Sequence, residues 1–207
     1  MDDGITLVRL TRDQRDEAAA LLARAFVQDP VYAQLTQDLA SRLRATESMF
    51  RGVVSYVHRY GEVWTTENLW GVACWLPPGE TEVTIWRMIR NGFALGRGMR
   101  DFEPQVRRTY LRVFSRLDES RKRWVPEPHW YLWVIGVAPD RQGHGVGGAL
   151  LRPILARADE MGAPCYLETQ TTRNVAFYQR RGFEVVHEET PEEIGLPIWS
   201  MVRQPQG

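Results

Sequence analysis

The chain has few cysteines, no excess of either charge and no long apolar run. Only 2 of its 207 residues are cysteines, and 26 basic residues balance 26 acidic ones. Two cysteines cannot build the disulfide framework of a small secreted protein, and both lie in apolar strand-like runs, so we expect reduced, buried thiols. A neutral chain also lacks the basic surface that nucleic-acid binding requires.

The sequence also shows no signal of a membrane protein or of a metal-binding protein. The N-terminus shows no basic-then-apolar leader, and no apolar stretch approaches the roughly 20 residues of a membrane span. The 4 histidines are scattered, without metal-ligand spacing. We therefore expect a cytoplasmic protein with no metal and no nucleic-acid or membrane partner. The length suits one domain with a sizeable core, which we predict to extend over residues 1–207.

One stretch of the chain combines a strand, a glycine-rich loop and a helix. Residues 130–137 form an apolar run that predicts a strand buried on both faces. Gly143, Gly145, Gly147 and Gly148 follow and lead into a helical pattern. Glycine lets a backbone approach a ligand closely, and the first amides of a helix lack intrahelical partners. The amides from Gly143 to Gly148 are therefore candidate donors to phosphate oxygens.

Three phosphate-binding motifs compete for this loop. A P-loop requires Lys and then Ser or Thr after its last glycine, and Gly148 is followed by Ala149 instead. The dinucleotide fingerprint G-x-G-x-x-G matches Gly143, Gly145 and Gly148. However, residues 139–142 separate the strand from the first glycine, and too little chain follows to build the remaining βαβ units. The third motif is Gln142-x-x-Gly145-x-Gly147 after a buried strand.

A second segment downstream favours the third motif. It reads Asn174-Val175-Ala176-Phe177-Tyr178, followed by Gly182-Phe183. Together the two segments resemble the acyl-CoA site of the GNAT superfamily of N-acetyltransferases. Within it, the chain is most similar to the puromycin N-acetyltransferase-like group. The matching motifs are His129-Trp130-Tyr131-Leu132, Tyr166-Leu167-Glu168-Thr169, Arg173-Asn174 with Phe177-Tyr178, and Trp199-Ser200-Met201-Val202-Arg203.

The order of predicted elements agrees with this resemblance. A strand, two helices and two strands precede a helical insertion at about residues 81–123, and a βαβαββ order follows. We expect a mixed α/β (α+β) fold, with a mostly antiparallel central sheet that is splayed and flanked by helices. The core that binds acetyl-CoA should extend over about residues 129–187. The insertion is rich in arginine, which is typical of a solvated helix surface; a basic phosphate-binding face is the alternative.

The resemblance implies acetyl-CoA as acetyl donor. The glycine-loop amides would hold the pyrophosphate, and the exposed edge of the strand at residues 135–137 would pair with the pantetheine arm like an added strand. A backbone amide near Val137 would stabilise the thioester oxyanion. The predicted cofactor-binding residues are Ile135, Gly136, Val137, Gln142, Gly143, His144, Gly145, Val146, Gly147, Gly148, Asn174 and Phe177.

Two side chains are candidates for proton transfer. By resemblance, Tyr178 is the general acid that protonates the thiolate, and an ordinary core tyrosine is the alternative. Glu168, at the end of a predicted strand, is our first choice as the base that deprotonates the amine, directly or through water. It would otherwise cap a helix or bind Arg173. His129 is a weaker candidate, and we expect Trp130 and Trp133 in the core.

The predicted activity is direct transfer of an acetyl group to a primary amine in a ternary complex. Neither motif contains a cysteine, so nothing favours a covalent acyl-enzyme. Phe26, Tyr32 and Trp75 are predicted to line the acceptor site, although core packing would suit them equally. A small-molecule amine is the expected acceptor, such as an antibiotic-like nucleoside or aminoglycoside. The alternatives are a protein N-terminus or lysine, or a non-catalytic acyl-CoA sensor. Homodimers are common in the family.

Overall fold

A seven-stranded sheet with helices on both faces forms the framework of the protein. The computed structural model describes residues 4–34, 36–100 and 102–206, so both ends of the predicted domain lie outside the described residues. In chain order the elements are β1 (Leu7–Arg9), α1 (Arg15–Phe26), α2 (Pro30–Ala33), α3 (Leu39–Tyr60), β2 (Glu62–Thr66), β3 (Gly71–Leu76), α4 (Ile85–Arg90), α5 (Ala94–Gly98), α6 (Pro104–Trp124), β4 (Trp130–Val137), α7 (Val146–Met161), β5 (Cys165–Thr169), α8 (Thr172–Gln179), β6 (Glu184–Glu189) and β7 (Ile198–Arg203).

The sheet is almost entirely antiparallel and opens at its centre. The strand order is β1-β2-β3-β4-β5-β7-β6, and β4 and β5 form the parallel pair. Their ladder joins only Trp130 to Cys165 and Tyr131 to Tyr166, and beyond these residues the two strands diverge. The predicted splayed, mostly antiparallel sheet is confirmed. This topology excludes a dinucleotide-binding fold, which is built from successive parallel βαβ units.

A β-bulge in β4 changes the direction of its side chains just beyond the divergence. Leu132 pairs with Trp75, and Val134 pairs with Cys74. Trp75 and Cys74 are adjacent in β3, so Trp133 is an extra residue in β4 between these two pairs. The bulge reverses the alternation of side chains between the two faces. Tyr131 therefore packs on the same side as Val134, whose neighbours belong to the core beneath α1 and α3.

The burial of β4 corrects one expectation. The run was predicted to be buried on both faces, but buried and half-buried residues alternate along the strand. Trp130 is a core residue as predicted, whereas Trp133 is half-buried. The physical reason is the splay: where β5 diverges, no neighbouring strand covers the side chains that lie over the opening.

Each face of the sheet packs against its own set of helices. α1 and α3 cover one face with residues such as Leu22 and Phe50, and α7 covers the other face with Leu150 and Ile154. α3 begins where the Asp38 carboxylate accepts a hydrogen bond from the Ser41 amide at 2.8 Å. It ends at Gly61, where a Cβ atom would collide with the Trp75 carbonyl oxygen. The close approach at Gly61 holds the end of α3 against β3.

The predicted helical insertion is present between β3 and β4. It consists of α4, α5 and α6, and α6 is strongly amphipathic and 21 residues long. α5 packs closely on α3, because Gly98 approaches the backbone of Met49 at a distance that leaves no room for a larger residue. In residues 4–34, 36–100 and 102–206, no helix is both long and apolar enough to cross a membrane.

Candidate active site

The glycine-rich loop ends in a helix start with free amides. Gly143 and Gly145 have φ angles of 81° and 82°, in the left-handed region that favours glycine. The Ala149 amide donates to the Gly145 carbonyl at 3.0 Å, as the first regular bond of α7. The amides of residues 146–148 precede that bond and have no protein acceptor among the described residues. Since the loop is solvent-exposed, these amides form an accessible anion cradle.

The loop side chains brace the cradle. Gln142 Nε2 donates to the Val137 carbonyl at 3.3 Å, and His144 Nδ1 lies 2.9 Å from the Gln142 carbonyl. Arg181 was not singled out from the sequence, yet its guanidinium lies over the Phe177 ring, 3.7 Å from the centroid. It also approaches Gly148 closely enough to obstruct a side chain there. A cation therefore lies beside the helix start, in addition to the macrodipole.

The strand edge that faces the opening is free at residues 135–137. The Ala138 amide donates to the Trp70 carbonyl at 2.9 Å, on the β3 side of β4. Backbone groups alternate in direction along a strand, so the amides of Ile135 and Val137 point to the opposite edge. β5 does not pair with that edge beyond Tyr131. It can accept an extended chain, as the resemblance implied for residues 135–137.

The other wall of the opening is α8. The Thr171 hydroxyl caps this helix by accepting from the Asn174 amide at 3.3 Å. Phe177 faces β4 across the start of α7: a Cβ atom built on Gly147 would lie 3.4 Å from Phe177 and 3.6 Å from Val137. We call the space between β4, the start of α7 and α8 the groove. Of the predicted cofactor residues, Ile135 and Asn174 line a common cavity there, and Phe177 and Val137 both lie close to Gly147.

Tyr178 lies deeper in the same opening. Its ring packs between Phe177 and Phe183, with centroid separations of 5.1 and 5.7 Å, and the residue is 6% exposed. Burial raises the pKa of the Tyr178 hydroxyl, and the Arg181 charge opposes this only in part. The phenol therefore keeps its proton at neutral pH and can act as a donor.

Glu168 lies on β5 on the face of the sheet that bears Tyr131. Its Oε2 accepts a hydrogen bond from the Tyr131 hydroxyl at 2.9 Å, and its buried Oε1 has no protein partner. Burial raises the pKa of this carboxyl from 4.5 to about 7, although the hydrogen bond from Tyr131 works in the opposite direction. A carboxyl with a pKa near 7 and one free oxygen has the properties of a general base.

The other roles considered for this region find no support among the described residues. Thr171, rather than Glu168, caps α8. Arg173 is solvent-exposed and forms no ion pair with Glu168. His129 is buried, its Nδ1 lies 2.8 Å from the Glu127 carbonyl, and burial lowers its pKa. Because His129 lines neither of the two cavities described next, it is poorly placed to reach a substrate.

Two cavities meet at Glu168. The splay cavity, of about 150 Å³, lies between the diverging strands and contains Ile135, Asn174 and Tyr178 on its walls. The insertion cavity, of about 390 Å³, lies between α3, α6 and the segment after β3. Tyr131, Trp133 and Glu168 line both cavities. Glu168 is thus reached from the groove on one side and from the helical insertion on the other.

The three residues predicted to bind the acceptor lie in two different environments. Phe26 and Tyr32 line the splay cavity and touch each other edge to face, with centroids 5.6 Å apart. Trp75 is fully buried in the core beneath α7 and lines neither cavity. The prediction for Trp75 is therefore wrong: this side chain points to the opposite face of the sheet.

Sequence reasoning missed several cavity residues. Tyr131 appeared only within a strand motif, Trp133 was expected in the core, and Arg121 was one arginine among many. Arg121 is buried, pairs with Asp118 and lies over the Tyr131 ring, 5.3 Å from the centroid. The tyrosine carried a usable signal, because a phenol in a buried run requires a hydrogen-bond partner. The sequence contains no such signal for Arg121, because the burial of this residue depends on how α6 packs over the sheet.

Comparisons with known proteins agree with this geometry. Residues 106–183 match the acetyltransferase (GNAT) family. An uncharacterised N-acetyltransferase of Schizosaccharomyces pombe is 29% identical over 202 residues, which cover 92% of this chain and 79% of that protein. A crystal structure described as histone acetyltransferase HPA2 and related acetyltransferase, from Corynebacterium glutamicum, superposes with a TM-score of 0.68 at 22% identity, covering 98% and 97% of the two chains. An agmatine N-acetyltransferase structure gives 0.67 at 15% identity, covering 97% and 99%.

The comparisons support a likeness to GNAT acetyltransferases in general but do not confirm the puromycin N-acetyltransferase-like group. Enzymes of the matched family use acetyl-CoA as acetyl donor. The family match over residues 106–183, the S. pombe relative and the fold are all similar to acetyltransferases of the GNAT type.

Proposed function

We propose that the protein transfers an acetyl group from acetyl-CoA to the primary amine of a small molecule, directly and within a ternary complex. The observation that carries this proposal is the position of Glu168, which lines one cavity with Tyr178 and a second cavity beneath the helical insertion. A base and an acid thus face a common space next to a free strand edge. The name of the S. pombe relative supports an amine acceptor.

The groove fits the donor in three respects. The free amides of residues 146–148 and the nearby Arg181 suit a pyrophosphate. The edge of β4 at Ile135 and Val137 suits an extended pantetheine arm, with Asn174 on the facing wall. When bound, acetyl-CoA supplies an acetyl group activated as a thioester.

The chain's own residues then provide the proton transfers. Glu168 Oε1, unpartnered and with its pKa near 7, accepts the proton of the incoming amine, directly or through water. The Val137 amide, directed to the free edge, donates to the thioester oxygen. Tyr178, which keeps its proton, donates it to the departing sulfur.

The two cysteines favour direct transfer over an acyl-enzyme. Cys74 and Cys165 are both fully buried, and neither lines the splay cavity or the insertion cavity. Burial raises the pKa of the Cys165 thiol to about 12 and raises that of Cys74 further. Since the thiolate is the nucleophile, neither residue is suited to carry the acetyl group.

Calorimetry with acetyl-CoA, CoA and NADH tests the donor site, with Gly147→Asp and Gly147→Ala as a matched pair. A Cβ atom at this position fits the groove in ordinary contact, and an acidic residue in the first turn suits the helix dipole. We therefore expect both variants to fold. The aspartate should weaken acetyl-CoA binding at least about tenfold by repelling phosphate, and the alanine should weaken it much less.

Other results would contradict the proposal. If the protein binds NADH but does not bind acetyl-CoA, the proposed acetyl-CoA site is wrong. Binding of acetyl-CoA with no acetylation of any amine, by wild type or by Tyr178→Phe, would indicate a non-catalytic sensor instead. The homodimer and the cytoplasmic location stay predictions, tested by sedimentation and by cell fractionation.

A further inference from the structure

The insertion cavity has a wall chemistry that restricts the acceptor. Its middle is apolar and consists of side chains from α3, α5 and α6, including Met49, Val53, Leu95 and Leu117. Its volume of about 390 Å³ lies at the lower end of the range of about 300–1,000 Å³ that is typical of small-molecule sites. Such a cavity suits a compact apolar body rather than an extended polar one.

The other charged groups that line the cavity, apart from Glu168, compensate one another. Lys122 Nζ lies 3.1 Å from Glu82 Oε1 and 2.9 Å from Asp118 Oδ2. Arg121 pairs with Asp118 as well. Two cations thus bind two carboxylates between α6 and the segment after β3. Neither sign is left in excess among these groups.

Glu168, at the inner end, differs from these groups. Its Oε1 has no protein partner, and its Oε2 is bound by a neutral phenol, Tyr131. It is therefore the only carboxylate lining the insertion cavity, in the described part of the chain, without a cation within salt-bridge distance. A ligand with one amine can place that amine at Glu168 and its remaining atoms against the apolar walls.

Resting on the proposed acetyl transfer, we propose that the acceptor is a primary monoamine with an apolar or aromatic body, whose amine reaches Glu168 from the insertion cavity. A polyamine or an aminoglycoside would bring further positive charges into a cavity that offers them no free carboxylate. An amino acid would bring a carboxylate for which no cation is free, since Arg121 and Lys122 are paired. Each such unpaired charge is costly to bury.

This proposal narrows the acceptor class expected from the sequence. An aminoglycoside fits the observed charges poorly, whereas an aromatic amine fits the apolar walls. Acetylation of either acceptor would require the same acetyl-CoA groove and the same base, Glu168. The acceptor class can therefore be wrong while the acetyl transfer is right, and one set of experiments separates the two.

The test compares kcat/KM for four amines on the full-length protein with acetyl-CoA. Phenethylamine represents the proposed class, phenylalanine adds a carboxylate to it, agmatine replaces the ring by a second cation, and kanamycin is a polycation. We expect phenethylamine to exceed each of the others at least about tenfold. Calorimetry of phenethylamine and agmatine in the presence of CoA should give the same order of affinities without turnover.

A pair of variants on α4 ties this preference to the cavity. Met88 lines the insertion cavity, whereas its neighbour Ile89 is exposed and lies outside the cavity lining. We expect Met88→Glu to lower kcat/KM for phenethylamine about tenfold or more and to raise the ratio of agmatine to phenethylamine. Ile89→Glu, with the same added charge on the same helix, should leave that ratio unchanged.

Three outcomes would overturn the proposal. A preference of the wild type for agmatine, kanamycin or phenylalanine, lost in Glu168→Gln, would refute the acceptor class and leave the acetyl transfer standing. If Met88→Glu and Ile89→Glu change the agmatine-to-phenethylamine ratio of kcat/KM equally, the cavity does not select the acceptor. If a protein that binds acetyl-CoA acetylates none of the amines, both proposals fail.

Discussion

Replacing Glu168 by glutamine should stabilise the folded protein in a strongly pH-dependent way. The pKa of Glu168 is raised by burial from 4.5 to about 7 in the folded state. Between these two values the folded state binds more protons than the unfolded state, so the free energy of unfolding falls as pH rises. Below about pH 4.5 the carboxyl is protonated in both states, and its titration contributes no difference.

The size of this effect follows from the two pKa values. The difference between 4.5 and about 7, at about 1.36 kcal/mol for each pKa unit, corresponds to about 3 kcal/mol. This cost is complete once the pH exceeds the folded-state value. Glutamine keeps an acceptor for the Tyr131 hydroxyl but cannot ionise, so the variant should be free of this cost.

Urea unfolding of wild type and Glu168→Gln at several pH values between 4.5 and 8 measures the difference directly. The stability of the variant relative to wild type should rise by about 3 kcal/mol from pH 4.5 to pH 8. Any pH-independent cost of the new amide group cancels in this comparison, and so do the remaining titrating groups, which both proteins share. Glu160→Gln, on the exposed side of α7, controls for the loss of one charge.

A constant difference across this pH range would refute the reasoning, because it would mean that Glu168 ionises as readily in the folded as in the unfolded protein. The same variant should lose about 10²–10⁴-fold in kcat while binding acetyl-CoA normally. A carboxylate kept at a cost to stability, and needed for activity, is the expected signature of a functional group rather than a structural one.

Three further predictions follow from other residues. Tyr131→Phe removes a hydrogen bond that favours ionised Glu168, so the midpoint of kcat/KM against pH should move up by about 1–2 units; an unchanged midpoint would contradict this role. Tyr178→Phe should lower kcat about 10²–10⁴-fold with the Kd for acetyl-CoA unchanged; a parallel loss of affinity would indicate a packing role. Leu150→Ala, at a fully buried position, should cost about 2–5 kcal/mol in urea unfolding at constant m, and Leu155→Ala, at a half-buried position, should cost less.

The order and type of the main elements could be predicted from local patterns. The strand–loop–helix unit of β4 and α7 and the helical insertion were predicted close to their observed bounds. Periodicity and turn chemistry are properties of neighbouring residues, so they can be seen in the sequence. The cradle is equally local, because it consists of consecutive backbone amides at one helix start.

Local patterns could not predict which side chains share a cavity. Trp75 was assigned to the acceptor site and Trp133 to the core, whereas Trp75 is fully buried and Trp133 is half-buried, since a bulge and a splay decide which face each side chain meets. One extra residue in β4 changes the face of every residue on one side of it. Neither feature has a signature within the apolar run itself.

By itself, therefore, the sequence determined the family resemblance, the glycine-rich helix start at residues 143–148 as a candidate anion cradle, and Glu168 and Tyr178 as candidates for proton transfer. Only the tertiary structure decided that Glu168 is half-buried with one buried, unpartnered oxygen, that Tyr131 binds the other oxygen, and that an apolar cavity with self-compensating charges lies beside it. The physical reason is distance along the chain. Desolvation and charge pairing at Glu168 are produced by α3, α6 and β4, whose residues meet only when the sheet and the insertion have packed together.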